Sequence, residues 1–200
     1  MDELKERRFF ALERSAGRPA QILRELLQQF DQPMLRYSYL RPGSISALKS
    51  LSGIHGFGEF PLHTDGAHLH HPPDFLVLMA PKVRTTPTLI CDPQSVIDLN
   101  SEEAKQAVFS VKRQRRTYHV QFRVSKGGVS SIRYNPDIMI PKNIAAQDIQ
   151  ARMLELRKHA IKVQWEKFAL LILDNRFMLH GRGQVSGTAS YMRRLEVRLP

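Results

Sequence analysis

His63, Asp65 and His180 are the residues of this chain whose types and spacing could do chemistry. His63 and Asp65 stand two apart in Phe60-Pro61-Leu62-His63-Thr64-Asp65. An extended backbone over Leu62 to Asp65 puts this imidazole and this carboxylate on one face of a strand. His180 lies far downstream, in Asp174-Asn175-Arg176-Phe177-Met178-Leu179-His180-Gly181-Arg182. Two histidines and one carboxylate on one side of an ion leave the opposite positions open, which suits a non-haem Fe(II) that must also bind a co-substrate and O2. The rest of the chain then serves to bring two distant segments together.

The elements that could do so are legible in the apolar periodicity. Residues 2–14 read as a charged helix. From Pro19, the spacing of Ile22, Leu23, Leu26, Leu27 and Phe30 predicts an amphipathic helix ending near Asp31-Gln32-Pro33. Pro42-Gly43-Ser44 predicts a turn and N-cap before a short helix carrying Ile45, Leu48 and Leu51, and Gly53, Gly56 and Gly58 loosen the chain ahead of His63. Beyond Asp65, the loop through His68, His70 and His71 ends in Pro72-Pro73, and strands are predicted at Phe75 to Ala80 and Thr86 to Cys91. A helix over Glu102 to Phe109 takes its cap from Asp98 or Ser101. Tyr118, Val120, Phe122 and Val124 alternate with polar residues up to the turn Lys126-Gly127-Gly128, and Ser130 to Tyr134 returns as the second arm of a hairpin. Ile149, Met153, Leu156, Ala160 and Val163 predict a helix over 145–163. Strands at 168–173, 177–179 and 191–199 follow. The expected fold is mainly β with packed helices, a double-sheet jelly roll of the kind that holds ligands in its mouth. One domain over residues 1–200 is expected, with 1–56 as a helical N-terminal support and 57–200 as the core, carrying a helical insertion near 145–163.

Composition narrows the class. At 200 residues and 42% hydrophobic, the chain can bury one substantial core. Its single cysteine, Cys91, excludes an intrachain disulfide framework and a Cys-rich zinc or iron-sulfur site, and fits a reduced, cytoplasmic compartment. The N-terminus lacks an apolar signal segment and the longest apolar runs are too short to span a bilayer, so no membrane partner is expected. A net charge of +11 attracts anions of any size. The densest basic run, Lys112-Arg113-Gln114-Arg115-Arg116, has no interleaved aromatics and reads as a solvated strand end, although the charge alone does not exclude nucleic acid. A homo-oligomer is equally compatible with the sequence.

A longer pattern carries a resemblance. His63-Thr64-Asp65, Pro72-Pro73, Thr88-Leu89, Asp174-Asn175, Leu179-His180-Gly181-Arg182 and Arg194-Leu195-Glu196-Val197-Arg198 occur in an order and spacing that resembles the Fe(II)- and 2-oxoglutarate-dependent dioxygenases of the taurine dioxygenase, clavaminate synthase and gamma-butyrobetaine hydroxylase group. The match runs from about residue 57 to the C-terminus. It implies His63, Asp65 and His180 as iron ligands, Thr88 as a hydrogen-bond partner of 2-oxoglutarate, and Arg194 or Arg193 as the cation for its distal carboxylate. Adjacent strand residues face opposite ways, so only one of these arginines can point inward. Arginine suits the role because its planar, permanently charged fork grips a carboxylate through paired hydrogen bonds. The implied reaction is hydroxylation, or a related oxidation, of an unactivated C-H of a small molecule, with release of succinate and CO2. Asp65 weighs against the halogenating branch of that group, which lacks the carboxylate. Arg198 and Arg133 match positions where related proteins hold a substrate anion, which implies an amino acid or other small acid.

Other readings accompany this one. His63, Asp65, His68, His70 and His71 also offer the ligands of a zinc-dependent hydrolase, an assignment that leaves Thr88, Asp174-Asn175 and the C-terminal arginines without a purpose. An oxygenase acting on nucleic acid or a protein side chain would need a wide basic groove, and a non-catalytic binding protein would keep the fold without turnover. His55, His119 and His159 read as structural or solvated, and Tyr134 and Trp165 as packing.

Overall fold

The computed structural model describes residues 2–40, 54–113, 116–186 and 191–200. Two antiparallel sheets lie face to face, with helices outside them. The five-stranded sheet runs in the order β1 (Phe9–Glu13), β12 (Phe168–Asp174), β4 (Phe75–Met79), β14 (Met192–Arg198), β2 (Met34–Leu40), and the four-stranded sheet in the order β11 (Ile161–Val163), β5 (Thr88–Cys91), β13 (Leu179–Arg182), β3 (Phe60–His63). A third sheet of β10 (Met139–Pro141), β6 (Val108–Arg113) and β7 (Arg116–Gln121) and a hairpin of β8 (Arg123–Lys126) and β9 (Val129–Ile132) complete the strands. Among the described residues no helix is long and apolar enough to cross a membrane.

Three apolar layers explain the arrangement. Leu76, Leu78, Leu171, Leu173 and Met192 of the five-stranded sheet meet Ile90 and Val163 of the other, with Trp165 between them. The opposite side of the five-stranded sheet, through Val77, Leu170, Ile172, Leu195 and Val197, is covered by Leu4 of α1 (Asp2–Arg7) and Leu26 of α2 (Pro19–Leu27). The outer side of the four-stranded sheet, through Leu62, Leu89 and Leu179, is covered by Ile149 and Met153 of α4 (Ile144–Glu155), by Ala104 of α3 (Glu102–Gln106), and by Phe109 and Phe122. Sheets apolar on both faces read as near-continuous hydrophobic runs, as Phe75 to Met79 and Phe168 to Leu173 do.

Several expected boundaries shift. The helix expected over 2–14 stops at Arg7, and Phe9–Glu13 becomes β1, paired with β12 from Phe9↔Leu173 onward. Phe9 and Ala11 face the inter-sheet layer while Phe10 and Leu12 face the helices, a two-sided burial that leaves no polar alternation to betray a strand. The helix over 145–163 ends at Glu155, passes through a 3-10 turn to His159, and gives way to β11, where β-branched Ile161 and Val163 extend the edge of β5. β2 is a strand that the periodicity did not reveal, because most of it is exposed. With β1 and β2 forming both edges of the five-stranded sheet, the N-terminal residues contribute strands to the sandwich as well as helices. The short helix carrying Ile45, Leu48 and Leu51, Gly53, and Gln114 and Arg115 of the basic run lie outside the described residues. Ser101, not Asp98, caps α3 by accepting from the Ala104 amide, and Gly127 and Gly128, with φ of 57° and 79°, make the expected hairpin turn between β8 and β9.

Candidate active site

β3 ends at His63, and β13 pairs with it so that His180 is the direct partner of His63. Opposed residues of an antiparallel pair project to the same face, and the two imidazoles meet there with ring centroids 4.3 Å apart. Gly181 permits the approach, since a Cβ on it would lie 2.8 Å from the Phe60 carbonyl oxygen. Asp65 sits two residues past the end of β3, so the strand expected to reach it stops short. Its Oδ1 nonetheless lies 3.5 Å from His63 Nε2 and 3.6 Å from His180 Nε2. Ligands bound at about 2.1 Å to one ion stand about 3.0–3.4 Å from each other, so the spacing is close to that of a metal's three neighbours. All three residues are buried, and among the described residues they form the single group of this kind. His68, His70 and His71 are not part of it, and His70 Nδ1 instead meets His71 Nε2 at 2.9 Å.

The donor set fits Fe(II). The His63 Nδ1–H donates to the Pro61 carbonyl at 2.9 Å, which turns the bare Nε2 toward the site. Burial, followed by the neighbouring His63, lowers the His180 pKa against the pull of Asp65, so its imidazole is neutral and able to ligate. Burial alone would raise the Asp65 carboxyl, but Arg194 and the two imidazoles outweigh it and hold the group well below the usual carboxylate range. The carboxylate is therefore ionised, as a hard cation requires.

A second ring of contacts fixes these groups. Asn175, almost fully buried, accepts from the Asp65 amide at 2.8 Å and donates to the carbonyls of Asp65 at 3.1 Å and Pro73 at 2.8 Å. Both ends of the 66–73 loop are thus tied to one side chain. Arg133 is buried and donates to the Leu69 carbonyl at 2.8 Å and the His70 carbonyl at 3.4 Å, so its fork supports the same loop from behind. Gly66, at φ 69°, starts the loop where a Cβ would lie 2.7 Å from Pro73.

The floor of the cleft is β14. Arg194, Glu196 and Arg198 alternate along one face, while Arg193 is exposed on the other. Arg194 NH1 donates to Asp65 Oδ2 at 3.0 Å, its Nε to Ser38 Oγ at 3.0 Å, and its NH2 lies 3.3 Å from Glu196 Oε1. Arg198 NH2 donates to Glu196 Oε2 at 3.1 Å. On the opposite sheet Thr88 is buried and accepts from the Trp165 indole at 3.0 Å. Thr88 pairs across the strands with Arg182, whose pKa is pushed down to about 10 by burial and then by Arg84. The sequence pattern includes Asn175, Arg182 and Glu196 without giving them a role, and it passes over Ser38 and Arg84.

No protein-family model matches the chain, and no curated protein sequence does. Solved structures do. Asparagine oxygenase, in complex with Fe(II), 2S,3S-3-hydroxyasparagine and succinate, superposes with a TM-score of 0.64 at 17% identity over 82% of this chain. PvcB from Pseudomonas aeruginosa superposes at 0.64 with 19% identity over 96%. The non-heme iron oxygenase OrfP, in complex with Fe and alpha-ketoglutaric acid, superposes at 0.57 with 16% identity over 81%. The chain spans 56% of the asparagine oxygenase, 76% of PvcB and 56% of OrfP. At these identities the likeness is one of fold: this chain has the fold of Fe- and 2-oxoglutarate-dependent oxygenases.

Proposed function

We propose that this protein is an Fe(II)- and 2-oxoglutarate-dependent oxygenase on a jelly-roll core, oxidising an unactivated C-H of an amino acid or other small acid. The observation that carries the reading is the convergence of His63, Asp65 and His180, from two paired strands and the turn after one of them, on one point between the sheets. These residues would hold the iron. When bound, iron and 2-oxoglutarate supply the oxidising power, with succinate and CO2 as the co-substrate's products.

The chain's own part is positioning. Asp65 turns Oδ1 toward the imidazoles and leaves Oδ2 to Arg194, which favours ligation through one oxygen and keeps neighbouring positions open. His63 and Asn175 fix the ligands before metal arrives. Thr88 contacts the co-substrate, and Arg198, on the face of β14 that carries Arg194, meets the acid group of the substrate. Arg133 holds the loop over the site. The named ligands of the asparagine oxygenase and of OrfP, hydroxyasparagine and hydroxyarginine, support an amino-acid substrate class.

The test is an anaerobic titration of the protein with Fe(II) and 2-oxoglutarate, read by the weak charge-transfer band near ~500 nm expected of a chelated 2-oxo acid on such an iron. The band is expected in the wild type and absent in His63→Ala. Properly loaded iron without the band would sink the assignment. Succinate release with a panel of amino acids would then name the substrate.

A further inference from the structure

Arg194 stands in a line of alternating charge. From the candidate ligand Asp65 the line runs through Arg194 to Glu196 and on to Arg198, with contacts of 3.0, 3.3 and 3.1 Å. Both terminal nitrogens of the Arg194 guanidinium therefore face carboxylates of the protein, and its Nε donates to Ser38 Oγ. The resemblance gives this arginine to the distal carboxylate of 2-oxoglutarate. With Asp65 and Glu196 both in place, that carboxylate would be the third negative charge around one positive one, in a cleft where water screens little. One of the two resident carboxylates must give way.

The contacts say which. Asp65 is held from its other sides, since Oδ1 faces the two imidazoles and Asn175 accepts from its amide. Glu196 is held by arginines alone, Oε1 by Arg194 and Oε2 by Arg198. It is buried, so a move that left it without a cation would be costly. Leaving Arg194 does not do that. Both oxygens can close on the Arg198 fork, the paired geometry that arginine favours. Arg36 of β2 is the cross-strand partner of Glu196 and projects to the same face, which adds a second cation on the side away from Arg194.

We propose that Glu196 is a resident carboxylate in the co-substrate subsite. It occupies Arg194 until the distal carboxylate of the 2-oxo acid displaces it onto Arg198, and so it sets how strongly the protein prefers 2-oxoglutarate to a 2-oxo acid without that group. The inference rests on the oxygenase reading and deepens it. A merely structural role has the opposite sign. A Glu196 that held Arg194 in its gripping pose would strengthen 2-oxoglutarate binding, whereas a Glu196 that competes for the same guanidinium weakens it.

The experiment compares 2-oxoglutarate with 2-oxobutyrate, which keeps the chelating head and lacks the distal carboxylate, on anaerobic protein saturated with Fe(II). Affinity is read from the visible band and independently by titration calorimetry. Glu196→Gln should raise the preference for 2-oxoglutarate by roughly 5- to 20-fold, because a neutral amide holds a guanidinium about half as strongly as a carboxylate does. Binding of 2-oxobutyrate should not change. In an Arg194→Gln background the same substitution should have no effect on the preference, since there is no guanidinium left to release. A preference that is unchanged or lower in Glu196→Gln overturns the proposal. So does a gain shared equally by both acids, which would mark a general effect of charge, and so does a gain that persists without Arg194. If Glu196→Gln fails to fold, Arg198→Gln decides: without Arg198 to share it, Glu196 leans on Arg194 and the preference should fall, and a preference that holds or rises overturns the proposal. A band with neither acid on properly loaded iron sinks the oxygenase reading itself, and this inference with it.

Discussion

Arg194 NH1 stands 3.0 Å from Asp65 Oδ2, while Oδ1 of the same carboxylate faces both imidazoles. One carboxylate is thereby divided between a cation supplied by the protein and the place a metal would take. The first consequence is for Arg194→Gln. Removing the guanidinium leaves Asp65 buried without its strongest partner, and outer-shell partners of this kind contribute about 10- to 100-fold in metal affinity. Competitive Fe(II) titration should show a loss in that range, and thermal unfolding of the metal-free variant should show about 2 kcal/mol of destabilisation. Unchanged metal affinity would mean that the Asp65 contact plays no part in shaping the site.

Asn175 should matter as much without approaching the metal. Its amide accepts from Asp65 N and donates to two carbonyls at opposite ends of the 66–73 loop. Asn175→Ala leaves those backbone groups buried and unpaired, at about 2–3 kcal/mol in stability, and frees Asp65 to wander from the imidazoles. The expected result is a lower unfolding midpoint together with weaker Fe(II) binding. Asn175→Asp, which retains the acceptor and loses both donors, should fall between.

The contrast between Asn175 and His63 shows what a sequence reveals. A candidate ligand set declares itself through residue types that have little reason to recur at a set spacing, and His63, Asp65 and His180 come together in one buried group. Asn175 belongs to the same pattern, but its type does not announce its work, which is done on backbone atoms that every residue possesses. Arg84 and Arg182 are hidden for another reason. Arginine is abundant in this basic chain, and only burial distinguishes a desolvated one from a solvated one. Among the elements, β4 and β12 were legible as apolar runs, whereas β1 was absorbed into a helix because Phe9-Phe10-Ala11-Leu12 is apolar on both faces. Likewise Val163 continues the four- and three-residue spacing of α4 but belongs to β11, where pairing with Thr88 overrides the helical period.

Gly181 is where strand packing and site geometry meet. A methyl group there would lie 2.8 Å from the Phe60 oxygen and 3.1 Å from the Pro61 oxygen, both backbone atoms with little room to yield. Gly181→Ala should therefore push β13 from β3 and spread His63 from His180, although it removes no ligand. Fe(II) affinity should fall at least tenfold, alongside a destabilisation of about 1–3 kcal/mol. Wild-type metal binding in this variant would show that the strands have slack the geometry does not suggest.

The metal-free protein should lose stability on mild acidification, and His180 gives the reason and the sign. Its folded-state pKa is lowered from 6.5, by burial first and then by His63. Below about pH 6.5 the unfolded chain takes up a proton that the folded chain resists, so the unfolded state binds more protons and stability falls with pH. The loss begins near 6.5 and continues down to the depressed folded value. Asp65 acts further down the scale. Its carboxyl is held well below 3.8, so its contribution is complete above that value and is lost only as pH falls through the folded pKa. Melting temperatures of the metal-free protein between pH 7.5 and 5.5 should therefore decline in wild type and decline less in His180→Gln, which has no proton to take up at that position. Saturating Fe(II) should flatten the upper part of the curve, since a ligated imidazole competes with its own protonation. Parallel curves for wild type and His180→Gln would show that other groups carry the acid response.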